Sequence, residues 1–332
     1  MKKSHENRDP EDREIFNIAD DFLKKINDLN PLEASEEGFS AYDDQIGDLS
    51  PLRHDNTAIL AKDTIKQLNN HLPKDFNEKL CSDVLGDYCK DLVDEYDSLD
   101  YLRGISFIDN PLDLIHVSTL NIDFSSKRAR ENLAIKIAKI PESLNSYKET
   151  LLFAKNKKAL PRNRQIARMI GNCDIYAAEP LFQNSVAPSA FLDFKKFLES
   201  KIINSTIERD AVGIEYYKRS AQRHLGKEID VYETFLWGFE EVRTLLREAD
   251  TVAAKITPGE GYLAAVNFLE SDPEYTLHTP GELKSFLKML IVEALDDLDG
   301  KHFDIDPRLQ NIEAATIEES ATYSMFYVPG SD

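Results

Sequence analysis

Ile15, Ile18, Phe22, Ile26 and Leu29 recur at helical spacing, with charged and amide residues between them. This predicts an amphipathic helix. Asp9-Pro10-Glu11-Asp12 reads as its start, with a capping carboxylate, a first-turn proline and acids at the positive end of the dipole. Asn30-Pro31 reads as its end. The loop "EASEEGFSAYDDQIGDLSP" follows, then a helix over about 53–72 and a third over about 75–101. The third has Phe76, Leu80, Val84, Tyr88, Leu92 and Leu99 as its apolar side. "GISFIDNPLDLIHVST" interrupts the pattern, with Asn110-Pro111 as a turn signal. Further helices are predicted at about 124–140, 142–156, 161–177, 188–204 and 206–224.

The clearest periodicity covers about 230–256. Phe235, Phe239, Val242, Leu246, Ala249, Ala253 and Ile256 are spaced 4-3-4-3-4-3, an apolar seam that begins just after Asp230-Val-Tyr-Glu233, which has the form of a capping box. Thr257-Pro258-Gly259 closes that helix. Thr279-Pro280-Gly281-Glu282 opens another that runs to Asp299-Gly300. Beyond Gly300 the texture changes: His302, Asp304 and Asp306 alternate with Phe303 and Ile305, and "NIEAATIEE" and "TYSMFYV" also read as extended. The expected fold is mainly α, one domain over 1–332 with about a dozen helices around a single core. Residues 1–8 are expected to be a disordered tail, and 301–328 a strand-like segment.

Composition narrows the function classes. The 332 residues carry 40 basic and 60 acidic side chains, a formal net charge of −20, with 42% hydrophobic residues. A globular, anionic chain is repelled by phosphate backbones, so nucleic acid is not an expected partner. No apolar run approaches the ~18 residues that span a bilayer, and the start, "MKKSHENRDPEDREIF", has no apolar stretch behind its lysines. Cys81, Cys89 and Cys173 are few and odd in number, as expected of reduced thiols in the cytoplasm.

Metal and nucleophile motifs are incomplete. Histidines 5, 54, 71, 116, 224, 278 and 302 lie too far apart for H-E-x-x-H, which needs two imidazoles one helical turn apart. Gly259-Glu260-Gly261-Tyr262-Leu263-Ala264 matches G-x-G-x-x-A but follows a helix and a proline where a dinucleotide site needs a strand, so it reads as a connection. "DDLDGKHFDID" fails as a calcium loop because Leu295 falls at the first ligand position. Lys155, Lys157, Lys158, Arg162, Arg164 and Arg168 form an acid-free run, read as a solvated helix junction with carboxylate docking as the rival reading. No complete catalytic constellation emerges from the residues themselves.

Four segments carry a resemblance: "NPLEASEEGFSAYDDQIGDLSP", "GIEYYKRSAQRHLGKEIDVYETFLWGFEEVRTLLREADTVAAKITPG", "LESDPEYTLHTPGEL" and "LDGKHFDIDPRLQNIEAATIEESATYSMFYVPGSD". In order and spacing they resemble a bacterial family, domain of unknown function 885 (DUF885). The resemblance implies a mostly helical, zincin-like architecture related to zinc metallopeptidases of the gluzincin kind. In such proteins H-E-x-x-P-G-H lies on a helix after a small sheet, beyond the segment matching Tyr327–Asp332. It therefore implies no catalytic residue, zinc ligand or other cofactor contact in this chain, with zinc expected only alongside a missing C-terminal part. What carries over is scaffold: Tyr42, Asp43 and Asp44 in the first segment and Trp237, Gly238, Glu241 and Arg243 in the second, as structural or cleft-lining positions. The implied function is the helical N-terminal portion of a metallopeptidase-like protein, catalytically incomplete, with a peptide substrate or the C-terminal half of the same protein as partner. The alternative is a stand-alone helical binding module, pairing with a separate zinc-bearing half.

Overall fold

The computed structural model describes residues 13–105, 110–120, 126–307, 310 and 312. Twelve α-helices occur among them: α1 Glu14–Leu29, α2 Pro31–Glu36, α3 Pro51–Asn69, α4 Phe76–Ser98, α5 Pro111–Leu120, α6 Lys127–Asn156, α7 Asn163–Ala178, α8 Ala187–Phe197, α9 Ile214–Leu225, α10 Val231–Ala253, α11 Tyr262–Ser271 and α12 Pro280–Leu298. The mainly α class is thus as expected. One domain was expected over the chain; by internal contacts it divides into two compact units, the first running to Arg223 and the second from His224.

Two X-Pro pairs read as chain breaks are helix starts. Asn30-Pro31 ends α1 and opens α2 at once. Asn110 caps α5, its Oδ1 accepting from the backbone N–H of Leu112 and Asp113 at 3.1 and 3.2 Å. Proline suits the first helical turn, where its missing N–H has no intrahelical partner to lose. α5 escapes a periodicity reading because it is buried nearly all round: Leu112, Asp113, Ile115, His116, Ser118 and Thr119 are all inside.

A third difference lies at Pro141. The two helices predicted on either side of it are one helix, α6, with the proline inside. An interior proline costs about 3 kcal/mol, but both flanking turns are anchored by the buried Ile137, Ile140 and Leu144. Burial of such side chains contributes about 1.5–3 kcal/mol each, enough to carry the helix through the break.

Within the first unit, α1, α3 and α4 form a bundle around Phe22, Ile26, Ala61 and Cys89, with Ile15, Ile18 and Leu68 beside it. The apolar side expected of α4 is only half right. Phe76, Leu80, Val84 and Tyr88 are exposed, while Cys81, Leu85, Cys89, Leu92 and Val93 pack inward. The larger core lies among α5, α6, α7 and α8, where Phe182, Phe191 and Phe194 are fully buried with Leu144, Tyr147 and Leu151. α8 continues through a π-helical turn, Leu198–Ile202, whose ends are buried in the same core.

α9 is attached differently. None of its residues is buried, and ion pairs hold it: Arg219 grips the buried Asp100 with two bonds, Nε to Oδ2 at 2.7 Å and Nη2 to Oδ1 at 2.8 Å. Arg223 reaches Asp100, Asp94 and Glu95 at 3.3, 2.8 and 3.4 Å.

The second unit contains α10–α12. Asp230 caps α10 by accepting from Glu233 N at 2.8 Å, and α12 opens with a full capping box between Thr279 and Glu282. The G-x-G-x-x-A segment is the connection it was expected to be. It turns α10 into α11 through Gly259 and Gly261, both at positive φ, and Asp250 accepts from the first N–H of α11 at 3.1 Å. Beyond α12, Asp299 and Phe303 form an isolated bridge and no strand occurs among the described residues, so His302, Asp304 and Asp306 do not share a strand face. "NIEAATIEE" and "TYSMFYV", like the start at Asp9-Pro10, lie almost wholly outside the described residues.

Candidate functional site

The first family-like segment is fixed from one side by α6. Lys136, Lys139, Ser143, Ser146 and Thr150 follow one another at spacings 3-4-3-4, a polar seam on the face turned to residues 43–49. Lys139 Nζ donates to the Asp44 carbonyl at 2.8 Å, Ser143 Oγ to that of Gly47 at 2.9 Å and Thr150 Oγ1 to that of Leu49 at 2.7 Å. Ser146 Oγ accepts from Leu49 N at 2.9 Å. Lys136 is fully buried, and its amine donates to Ser35 Oγ at 3.2 Å, which in turn donates to Asp43 Oδ1 at 2.9 Å. Burial lowers the Lys136 pKa, against the pull of Asp43, Glu36 and Asp44.

This clamp gives two of the sequence-picked residues a role. Asp43 ties the loop to α2 and the buried amine, and Asp44 contributes its carbonyl. Tyr42 lies at the surface, its hydroxyl donating to Asp28 at 2.8 Å; that bond first, and burial second, raises its pKa. Gly47 completes the loop at φ +86°, where an added Cβ would lie 2.7 Å from Pro31 Cγ. Gly47→Ala is expected to cost about 2–4 kcal/mol through left-handed strain plus the clash, measured by urea denaturation. A loss below about 0.5 kcal/mol, the ordinary scatter of a neutral surface change, would mean the loop is not held this closely.

The other four picked residues lie on α10 in the second unit. Trp237 is 62% exposed, Gly238 has open space where a Cβ would point, and Glu241 is exposed. Arg243 pairs along the helix with Glu240 at 3.2 Å. The basic run behaves as a junction: Lys155 donates to the Lys201 carbonyl at 2.7 Å, Arg162 to that of Ala211 at 2.9 Å, and Arg164 pairs with Asp210 at 3.5 Å.

Behind the clamped loop lies a cavity of about 140 Å³ that sequence reasoning missed. Its apolar lining includes Leu32, Ile46, Leu49 and Leu151, and its polar lining includes Asn30, Glu33, Arg53, His54, Tyr101, Asn110, Tyr147 and Thr150. Ser50-Pro51 starts α3 and so presents Arg53 and His54 from its first turn, while Tyr147 comes from α6, held by stacking on Phe194 at 5.7 Å. Arg53 Nη1 donates to Asn30 Oδ1 at 3.0 Å and Nη2 lies 3.4 Å from His54 Nε2. Burial, then the neighbouring Arg53 charge, lower the His54 pKa to about 3, so the imidazole stays neutral. Arg53 Nε and Tyr147 Oη are buried with no hydrogen-bond partner.

Three comparisons bear on this geometry. A family model described as "Bacterial protein of unknown function (DUF885)" matches residues 31–332. No curated protein matches the chain. Among solved structures, the crystal structure of the "putative lipoprotein from Colwellia psychrerythraea" is similar in fold, with a TM-score of 0.61 at 11% identity. That match covers 86% of this chain but 59% of the other, so this chain spans less than two thirds of that neighbour. Among the described residues no group of three or more His, Cys, Asp or Glu side chains is placed to hold a metal ion, and no helix is long and apolar enough to cross a membrane.

Proposed function

The chain belongs to the DUF885 family, and on that premise we propose that it is the helical scaffold of a metallopeptidase-like protein, without a complete catalytic centre of its own. The observation that carries this is the apolar surface of the second unit. Phe235, Phe239, Val242 and Leu246, the seam of α10, are 43–58% exposed, and Leu283, Phe286, Met289 and Leu290 of α12 are exposed as well. Covering each such side chain contributes about 1.5–3 kcal/mol, and contiguous apolar patches of this kind mark packing surfaces. The occupant we assign is a zinc-bearing portion, supplied by further sequence or by a separate chain. In support, the solved neighbour is longer than the part this chain matches.

The described donor set does not suit zinc, so no reaction step is assigned to residues of this chain. After loading with Zn²⁺ and desalting, the chain is expected to retain no stoichiometric zinc by elemental analysis and to leave peptide substrates uncut. Stoichiometric zinc together with peptide cleavage would overturn the scaffold reading. The cavity favours a second reading, a stand-alone binding module, which requires a monodisperse monomer in sedimentation; self-association through α10 and α12 counts against it.

A further inference from the structure

We propose that the cavity between the first turn of α3 and α6 is a binding site for a small monocarboxylate with an apolar tail. The proposal goes beyond the scaffold reading and depends on neither form of it. Three observations carry it.

The first is the pair of buried, unpartnered polar atoms. Arg53 Nε is a donor and Tyr147 Oη can donate or accept; both are shut off from solvent without a partner and both residues line one cavity. Buried polar groups in folded proteins are overwhelmingly satisfied, so two orphans around one space point to something that fills it. A guanidinium presents its N–H groups as a planar fork matched to carboxylate.

The second is charge. Arg53 forms no ion pair among the described residues; its bonds go to the Asn30 amide and the neutral His54 ring. Nearby carboxylates offset this charge only at a distance and leave Nε without an acceptor, whereas a bound carboxylate would meet it with a charge-assisted bond. Glu33 lines the same space and Asp48, engaged with Ser50 at 2.6 and 2.8 Å, lies near enough to act on Arg53 through its charge. These two carboxylates repel a dianion more strongly than a monoanion, so phosphate and sulfate are expected to be disfavoured.

The third is size and lining. A space of about 140 Å³ is close to that of an engineered cavity that takes up benzene, so roughly six to eight non-hydrogen atoms fit. Leu32, Ile46, Leu49 and Leu151 supply apolar lining in the same space as the guanidinium. A branched, short-chain acid has this shape: a charged head for Arg53 and Tyr147, and a hydrocarbon tail for the leucines.

The test is calorimetric titration of the full chain with 3-methylbutanoate, set against its uncharged isostere 3-methylbutanamide and against sulfate. The acid is expected to bind saturably in the millimolar range or tighter, the amide at least about tenfold more weakly, as loss of a charge-assisted pair implies, and sulfate not at all. Arg53→Gln is expected to abolish binding. Tyr147→Phe, which keeps the stacking on Phe194 and the fold, is expected to weaken it about three- to tenfold. In the wild type the Arg53 Nε–H resonance should shift on titration with the acid and not with the amide. No saturable binding of the acid, equal binding of acid and amide, binding of sulfate at comparable strength, or undiminished binding in a folded Arg53→Gln protein would each overturn the proposal.

Discussion

Replacing Asp113 with alanine is expected to destabilise the first unit by about 3–5 kcal/mol, because three buried donors converge on its carboxylate. Asn110 Nδ2 donates to Oδ2 at 2.7 Å, Asn172 Nδ2 to Oδ1 at 2.9 Å, and the Tyr176 hydroxyl to the same Oδ1 through a short bond. Asn172 and Tyr176 are themselves buried, and His116 stacks on the Tyr176 ring at 4.2 Å while its Nε2 faces Glu179 at 3.1 Å. Burial first, and then the Asp113 carboxylate, push the Tyr176 pKa far up, so the phenol stays a donor. Removing the acceptor takes a charge-assisted bond from each of three buried donors, which costs more than the loss of neutral bonds at the surface. The network joins α5 to α7 and supports Asn110, which lines the cavity. Denaturant titration with near-ultraviolet circular dichroism of the buried tyrosines measures the effect. A loss below about 1 kcal/mol, the worth of a single neutral hydrogen bond, would show that the cluster is not the joint between these helices.

Asp100→Asn is expected to cost about 2–4 kcal/mol and to release α9. Breaking one partner of a buried ion pair costs about 3–5 kcal/mol, but here the Arg219 side chain is 31% exposed, so solvent recovers part of that. The dependence on pH has a definite sign. Burial opposes the charged form of Asp100, yet the bonds from Arg219, Ser98 and Arg223 outweigh it and hold its pKa below the ordinary value. The stabilisation is therefore present above the unfolded pKa of about 3.9 and is lost as pH falls through the lower folded value. The stability gap between wild type and Asp100→Asn should be constant at neutral pH and shrink on acidification below about pH 4. Hydrogen exchange in α9 should rise in the variant at neutral pH. Unchanged protection there would mean that α9 is held by something other than its arginines.

The sequence made the helices legible because helix formation is local. The helix expected to end at Asn30-Pro31 and those expected over about 53–72 and 230–256, with the caps at Asp230 and Thr279, match α1, α3, α10 and the start of α12 to within a few residues. The resemblance located a loop whose carbonyls α6 binds, although the spacing of Lys136, Lys139, Ser143, Ser146 and Thr150 was there to be read. A polar seam at 3-4-3-4 is the same signal as an apolar one, overlooked because buried faces are searched for by hydrophobicity.

Other features were undetermined for physical reasons. Phe76, Leu80, Val84 and Tyr88 repeat every four residues, so the row drifts by about 40° per step around α4 and slides off any fixed face. The row that mixes threes and fours, Leu85, Cys89 and Leu92, stays against α1 and α3. Pro141 and the Asn-Pro pairs have local preferences that tertiary burial can overrule or reuse.

What the sequence determined alone was the helical class, the positions of most of the longer helices and the family. Tertiary structure alone decided which stripes are covered and that Arg53 and Tyr147, 94 positions apart, border one space. The physical reason is range: hydrogen-bonded turns and caps act within about four residues. The burial that strips a guanidinium and a phenol of their water depends on α3 and α6, helices far apart in the sequence, being brought together.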